Sequence, residues 1–232
     1  MKHRSVRQSL PLRTFALLAA LLFCALAVAA EPGRSDWRLV SDKNGIKVYQ
    51  RHSDDSPLKT FRGVTRFPVS SLHAVSAVLN DTANIPRWMH FVDRAVELRR
   101  QDYRHREMVF YTDVPWPFTD REAVQRIEVG FDAQWRNSLQ VLTSNAPELL
   151  PPNKDYIRFP RLTARLEIVG DPQTQMVDVT YEVVGDLGGY IPPWLVNIAL
   201  KDAPYFTLDK LREAVLRTEY QSWRDPVLPF AW

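Results

Sequence analysis

Cysteine is nearly absent from this chain, and its absence excludes several kinds of chemistry. The single cysteine among 232 residues, Cys24, lies inside an apolar run near the N-terminus. If that run is removed by processing, the remaining chain has no disulfide, no thiolate nucleophile and no cysteine-based metal site. A fold without such links depends on its hydrophobic core alone.

Glycine and histidine are also too sparse to form the common catalytic motifs. The eight glycines include one adjacent pair, Gly188-Gly189, whose place before two prolines predicts a turn. No G-x-S-x-G, H-E-x-x-H or phosphate-binding glycine motif occurs. The histidines after the apolar run lack the spacing that would hold a metal from one strand or helix; they are His52, His73, His90 and His105. We therefore expect no catalytic residues, no metal and no cofactor.

The first thirty residues have the layout of a secretory signal. A positively charged segment precedes an apolar run over residues 14–28, and the small residues Ala29 and Ala30 follow it. The run is shorter than the ~20 residues that span a bilayer, which disfavours a membrane anchor. Phe23 is too large for the position before a lipidated cysteine, which disfavours a lipoprotein signal at Cys24. We expect residues 1–30 to be a signal peptide, cleaved after Ala29 or Ala30, and the protein to be periplasmic or secreted.

Removal of the signal changes the sign of the net charge. Residues 1–30 hold four of the 30 lysines and arginines and none of the 27 acidic residues, so 26 basic and 27 acidic residues remain, a net charge of −1. A nucleic-acid partner is disfavoured, because nucleic-acid binding needs a strongly basic domain. Residues 31–232 suit one domain with a sizeable core, and we expect a monomer.

Alternating apolar and polar residues predict an antiparallel sheet that is covered on one face. The clearest case is a hairpin in which residues 162–168 and 177–183 alternate on either side of a turn at 171–174. Similar alternation predicts five earlier strands, at residues 46–51, 59–67, 108–112, 123–129 and 138–143.

Two helices are predicted from capping residues and helical spacing. Ser70-Ser71 favours the start of a short helix, and Pro192-Pro193 favours the start of a long one near the C-terminus. Pro204 is expected to kink the long helix or divide it into two in series. Residues 191–200 are apolar nearly all round, so we expect this part of the helix to be buried on several sides. A helix gripped by a curved sheet would bury it and leave room for a ligand.

The sharpest local pattern is Asp-Val-Pro-Trp-Pro-Phe-Thr-Asp-Arg-Glu at residues 113–122. Two prolines fix the backbone on either side of Trp116, which suits either a rigid loop that plugs the core or a loop that faces a ligand. The segment resembles the START family of lipid-transfer domains, which often carry Pro-Trp-Pro followed by arginine and an acid where a loop closes the ligand tunnel. The arginine and the acid of this motif correspond here to Arg121 and Glu122, although aspartate is commoner than glutamate after the arginine.

The resemblance extends over about residues 37–220. Residues 44–49 and 59–63 look like the family's first two strands, Trp88 followed by residues 96–98 is similar to its helix-then-strand step, and residues 191–220 match its C-terminal helix. The resemblance implies an α+β helix-grip fold, in which a curved antiparallel sheet wraps around a long C-terminal helix with an apolar tunnel between them. It also implies binding of a lipid or other apolar small molecule, with transfer as a further step, and no enzymatic activity.

Position within this fold gives the candidate lipid-binding residues. From the loop side they are Tyr111, Trp116, Phe118 and Arg121. From the helix side they are Trp194, Val196, Ile198, Ala199 and Phe206. The expected partners are the apolar ligand and, transiently, a membrane.

Two other functions stay open at this point. A helix-grip enzyme of cyclase or hydrolase type would need an acid or base in the tunnel, for which the candidates are Asp113, Asp120, Glu122 and His90. An envelope interaction protein would have a filled core and no ligand. The basic cluster Arg99, Arg100, Arg104, His105 and Arg106 fits a solvated hairpin tip, with contact to anionic lipid head groups as the alternative.

Overall fold

The structure is a computed structural model that describes residues 36–232 except 54–55, 115, 133–136 and 230–231. The predicted signal peptide therefore lies outside the described residues. The strands are β1 (Arg38–Lys43), β2 (Ile46–Ser53), β3 (Ser56–Pro68), β4 (Arg94–Arg100), β5 (His105–Thr112), β6 (Arg121–Asp132), β7 (Ser138–Asn145), β8 (Ile157–Arg158), β9 (Arg161–Asp171) and β10 (Met176–Asp186). The α-helices are α1 (Leu72–Asn80), α2 (Pro193–Val215) and α3 (Thr218–Gln221), with 3-10 turns at Thr82–Arg87 and Pro147–Leu149.

One sheet joins these strands in the order β1-β2-β3-β10-β9-β7-β6-β5-β4, and the short β8 pairs with β6. All neighbours along this order are antiparallel, and of the described strands only β8 runs parallel to its partner. The strand β3 pairs with β10, which places Phe61 opposite Val183. The predicted hairpin is β9–β10, and the five earlier predicted strands lie within β2, β3, β5, β6 and β7.

The alternation seen in the sequence places one face of the sheet against the helices. Ile127 in β6 and Val179 in β10 are buried, whereas Glu128 and Asp178 next to them are exposed. The long helix α2 packs against β2, β3 and β10 on the covered face. The α+β helix-grip fold is thereby confirmed.

The helix α1 begins where its capping residue predicts. The Ser71 hydroxyl accepts a hydrogen bond from the Ala74 amide at 3.1 Å, which satisfies a free N–H of the first turn. Farther along the helix, Ser76 donates to the Asp225 carboxylate at 2.8 Å, and the Asp225 amide donates to His73 Nδ1 at 3.0 Å. These bonds hold the segment after α3 against α1.

The helix α2 starts at Pro193, as predicted, but Pro204 does not divide it. The expectation of two helices in series is wrong, because Pro204 is buried against β3 at a position where the strand has no side chain. A Cβ atom added to Gly63 would lie 2.8 Å from Pro204 Cβ and 2.7 Å from Leu208 Cδ1. Proline has no N–H to donate within the helix. The close packing of Pro204 against β3 offsets the loss of that hydrogen bond. Among the described residues, no helix has both the length and the apolar content that would cross a membrane.

Candidate functional site

A cavity of about 520 Å³ lies between the sheet and α2. The sheet contributes side chains such as Met108, Leu166 and Tyr181, and α2 contributes Leu195 and Leu200. Small-molecule sites usually measure ~300–1,000 Å³ and are lined mainly by apolar and aromatic groups. The cavity fits that description, and it counts against the filled core that an envelope interaction protein would have.

The cavity opens between two loops and the first turns of α2. Phe91, Trp116 and Ile198 line it and are also 42%, 92% and 50% exposed, so they stand at its mouth. The loop between β5 and β6 therefore does not plug the core, which removes one interpretation of the Pro-Trp-Pro segment. The Trp116–Pro117 peptide bond is cis, and Pro115 lies outside the described residues.

Four of the predicted ligand-binding residues line the cavity. They are Trp116, Phe118, Ile198 and Ala199. Their part in binding a lipid stays a prediction, but the loop and the helix do converge on one space, as the sequence indicates.

Tyr111 and Val196 lie outside the cavity lining. Tyr111 is one residue from Phe110 in β5, and side chains alternate along a strand; its ring packs 3.8 Å from the Arg94 guanidinium. Val196 lies about 200° around the helix from Ile198, on the same face as Leu200, which does line the cavity. Val196 is 2% exposed and belongs to the core.

Trp194 and Phe206 also lie outside the cavity lining. Trp194 is 64% exposed, so the expectation that the apolar start of α2 is buried on several sides is wrong. This part of the helix covers the mouth of the cavity. One side of the helix, which carries Trp194, is not covered by any other described residues there. The Phe206 ring packs instead on the His90 ring, with 4.7 Å between the ring centres.

Arg121 is buried next to the cavity in a structural position. Its guanidinium donates to the carbonyl oxygen of Thr119 and, at 3.5 Å each, to those of Leu187 and Gly188. Burial lowers the pKa of Arg121, although an arginine stays charged in proteins. The side chain thus fastens the β5–β6 loop to the segment before α2, and does not line the cavity.

Two of the candidate acids have structural partners outside the cavity. Glu122 is fully buried and accepts from Arg158 at 2.5 Å and 3.0 Å. The Asp120 carboxylate accepts from the Val114 amide at 2.9 Å, which closes the loop. Neither carboxylate lines the cavity.

The other two candidates, Asp113 and His90, do line the cavity. Desolvation, together with the negative charges of Asp93 and Asp120, raises the pKa of Asp113. Burial and the positive charge of Lys210 lower the pKa of His90, against the opposite effect of Asp202. No hydrogen bond joins Asp113 to His90, and the described residues contain no cluster of three histidine or acidic side chains that could hold a metal.

Arg106 is the functional candidate that the sequence interpretation missed. Its neighbours Arg99, Arg100, Arg104 and His105 are exposed, as a solvated hairpin tip predicts. Arg106 is only 4% exposed and lines the cavity, so the expectation of solvation is wrong for this residue. The signal was present in the sequence, since Arg106 shares the alternation of Met108 and Phe110 and must face the same way.

Comparisons with known proteins give relatives that span nearly the whole described chain. An uncharacterised protein of Pseudomonas aeruginosa is 32% identical over 199 residues, which cover 85% of this chain and 94% of that protein. The crystal structure of a STAR-related lipid transfer protein fragment from Xanthomonas axonopodis is 31% identical, with a TM-score of 0.71, and covers 79% of this chain and all of that one. The bovine phosphatidylcholine transfer protein is 27% identical over 184 residues, covering 76% of this chain and 83% of that protein. No protein-family model matches the sequence.

Proposed function

This chain belongs to the STAR-related lipid transfer (START) family, and from that premise we propose that it binds a lipid or other apolar small molecule in its cavity. The observation that carries the proposal is a space of about 520 Å³, lined mainly by apolar side chains, beneath a helix whose exposed residues mark an opening. Burial of the ligand's apolar surface would supply the affinity. A few polar groups would orient it.

We extend the proposal to transfer of the ligand through transient contact with a membrane. Three large aromatic side chains near the mouth are exposed: Trp116 (92%), Tyr190 (101%) and Trp194 (64%). Tryptophan and tyrosine favour the interface between lipid and water, since their rings are apolar at one end and polar at the other. The cavity mouth is therefore the surface that we expect to meet the membrane.

We also propose that the protein acts after export, as a monomer. N-terminal sequencing of the exported form should find Ala30 or Glu31 as the first residue, because the small residues that suit signal peptidase stand there. A lipid-modified Cys24 at the N-terminus would contradict a soluble carrier. Sedimentation of the purified protein at several concentrations tests the monomer.

A non-enzymatic role suits the site better than a hydrolase or a cyclase. Asp113 and His90 share the cavity but not a hydrogen bond, and Asp120 and Glu122 are engaged elsewhere. Mass spectrometry of a bound ligand after long incubation tests this, since a carrier returns the ligand unchanged. A chemically altered product whose yield falls in Asp113→Asn would favour an enzyme.

The main experiment is identification of the molecule that the protein holds. Native mass spectrometry of protein purified from its own host should show a bound species, and extraction should release a lipid-like compound. Uptake of fluorescent fatty acids, phospholipids and sterols provides a second measurement. If the protein takes up no apolar probe of any class, the carrier function should be abandoned in favour of an envelope interaction protein.

A further inference from the structure

Arg106 carries a positive charge into an apolar cavity without a matching negative charge. Its Nε and Nη1 atoms are buried and have no hydrogen-bond partner among the described residues. Its Nη2 atom donates one long bond, of 3.4 Å, to the Leu79 carbonyl oxygen. The side chain is 96% buried, as its 4% exposure shows, and it lines the cavity.

The surrounding charges do not compensate for this burial. Glu97, an acidic residue on the neighbouring strand, is held by Arg100 at 2.6 Å and 3.0 Å, and Arg100 stands opposite Arg106 in the β4–β5 register. Burial, and after it the charge of Arg100, lower the pKa of Arg106, and the opposite effects of Glu97 and Tyr103 do not cancel this shift; an arginine nevertheless stays protonated. A buried and unpaired charge is strongly unfavourable, so an anion bound at this point would relieve it.

Two other cavity-lining side chains have polar atoms that find no partner among the described residues. They are Gln125, through Oε1, and Trp88, through Nε1. In the β5–β6 register Ile127 stands opposite Arg106, so Gln125 is the diagonal neighbour of Arg106. Diagonal neighbours lie ~7–8 Å apart, within reach of long side chains. A second unpaired polar atom, Gln125 Oε1, thus lies on the strand next to Arg106 in a mainly apolar wall.

The position of Arg106 along β5 separates it from the mouth. Thr112, at the other end of the strand, also lines the cavity and leads into the loop that carries Trp116. Six residues of strand span about 20 Å. The guanidinium therefore lies at the inner end of the cavity, where an extended ligand would place one terminus.

We propose that Arg106 binds the anionic head group, a carboxylate or a phosphate, of an amphiphile whose apolar chain fills the rest of the cavity. This inference rests on the proposed function and names the class of its ligand. A guanidinium presents two parallel N–H groups that match the oxygens of either anion. The ligand enters head first, and a neutral ligand is disfavoured because it leaves the buried charge unpaired.

The test compares hexadecanoate with its methyl ester, which has the same chain and no charge, and adds palmitoyl lysophosphatidic acid as a phosphate source. We expect the wild type to bind at least one anion about tenfold or more tightly than the ester, which is the scale of a charge-assisted pair. The anion that is preferred tells a carboxylate from a phosphate. Arg106→Met should lose the preference while its affinity for the ester stays the same or rises.

The matched control is Arg99→Met, which removes one exposed positive charge from the same end of the sheet without altering the cavity. It should keep the preference of the wild type. Arg106→Gln gives a second neutral variant in case methionine packs poorly, and thermal unfolding shows that each variant is folded. The role of Arg106 is overturned, and the proposed function is not, if the wild type binds anions and ester equally. The same holds if both Arg106 variants keep the preference for anions. Failure of the wild type to bind any of the three probes overturns the proposed function as well.

Discussion

The first half of α2 is richer in apolar residues than the second half, yet it is the more exposed of the two. In the first half, residues 193–200, Trp194 and Ile198 are 64% and 50% exposed; in the second half, residues 203–215, Leu208 and Leu211 are fully buried. The first half covers the cavity mouth, whereas the second half lies on β3, with Pro204 and Leu208 in the space above Gly63. Stability is thus concentrated in one half of the helix and ligand access in the other.

The bonds that hold the two halves differ in the same way. In the first half, Asn197 exchanges two hydrogen bonds with the start of β3, accepting from the Lys59 amide at 3.0 Å and donating to the Pro57 carbonyl oxygen at 3.2 Å. In the second half, Tyr205 accepts from Asn44 at 2.8 Å in addition to the apolar packing. The mouth side is therefore fixed by Asn197 together with the buried Val196 and Leu200, whereas most of the other half is buried in the core.

The largest expected effect comes from the second half of the helix. Leu208→Ala should lower the free energy of unfolding by about 2–5 kcal/mol, since it leaves a cavity in a fully buried site. Denaturant unfolding measures the change. The control, Leu216→Ala at the exposed residue that follows this helix, should stay within about 0.5 kcal/mol of the wild type. Equal effects of the two variants would show that the second half is not the anchor.

A smaller effect is expected from the strand beneath the helix. Gly63→Ala places a Cβ atom within 2.8 Å of Pro204 and Leu208, and such overpacking should lower the free energy of unfolding by about 1–3 kcal/mol. Gly130→Ala is the matched control, because nothing lies within 4 Å of its added Cβ atom. The close approach would be refuted if both alanines were tolerated equally in thermal unfolding.

Ile198→Trp tests the first half without disturbing the core. The added volume should enter the cavity, so stability should change by less than about 0.5 kcal/mol, while affinity for a fluorescent lipid should fall roughly tenfold, equivalent to ~1.4 kcal/mol. Thermal unfolding and lipid uptake are measured on the same sample. A lower melting temperature with unchanged uptake per folded molecule would remove this helix face from the binding site.

The smallest change in stability is expected for Trp194→Ala. Since the indole is 64% exposed, the free energy of unfolding should change by less than about 0.5 kcal/mol. Transfer of a lipid between vesicles should slow, whereas binding of a soluble probe should not. Trp223→Ala, which removes an exposed tryptophan from the segment after α3, is the control. Equal transfer rates for both variants would count against membrane contact at the mouth.

The parts of the fold that depend on nearby residues could be predicted from the sequence. Alternation identified β9 and β10, Ser71 identified the start of α1, and Pro193 identified the start of α2. Each of these signals acts within a few residues, where strand periodicity and capping are decided. The order of such signals also carried the resemblance on which the helix-grip prediction rests.

The features of the fold and of the site that depend on residues far apart in the chain could not be predicted in the same way. Pro204 stays within one helix because Gly63, on a strand far away in the chain, leaves space for it. Trp194 is 64% exposed at the start of α2, and the spacing of apolar residues does not reveal which of them the sheet leaves uncovered. The burial of Arg106 could have been predicted from the alternation of β5. Its charge and its basic neighbours favoured a solvated position instead.

The pairing of β3 with β10 has a consequence for how the chain folds. Phe61 and Val183 become neighbours only after the residues between them have been synthesised, and contacts between distant parts of a chain form slowly. Until that pairing forms, the apolar faces of the β2–β3 and β9–β10 hairpins are open to solvent, and the chain is prone to aggregation. An apolar ligand that binds only the completed cavity would stabilise the folded form by mass action. We expect the yield of soluble protein on refolding to rise when the ligand is present.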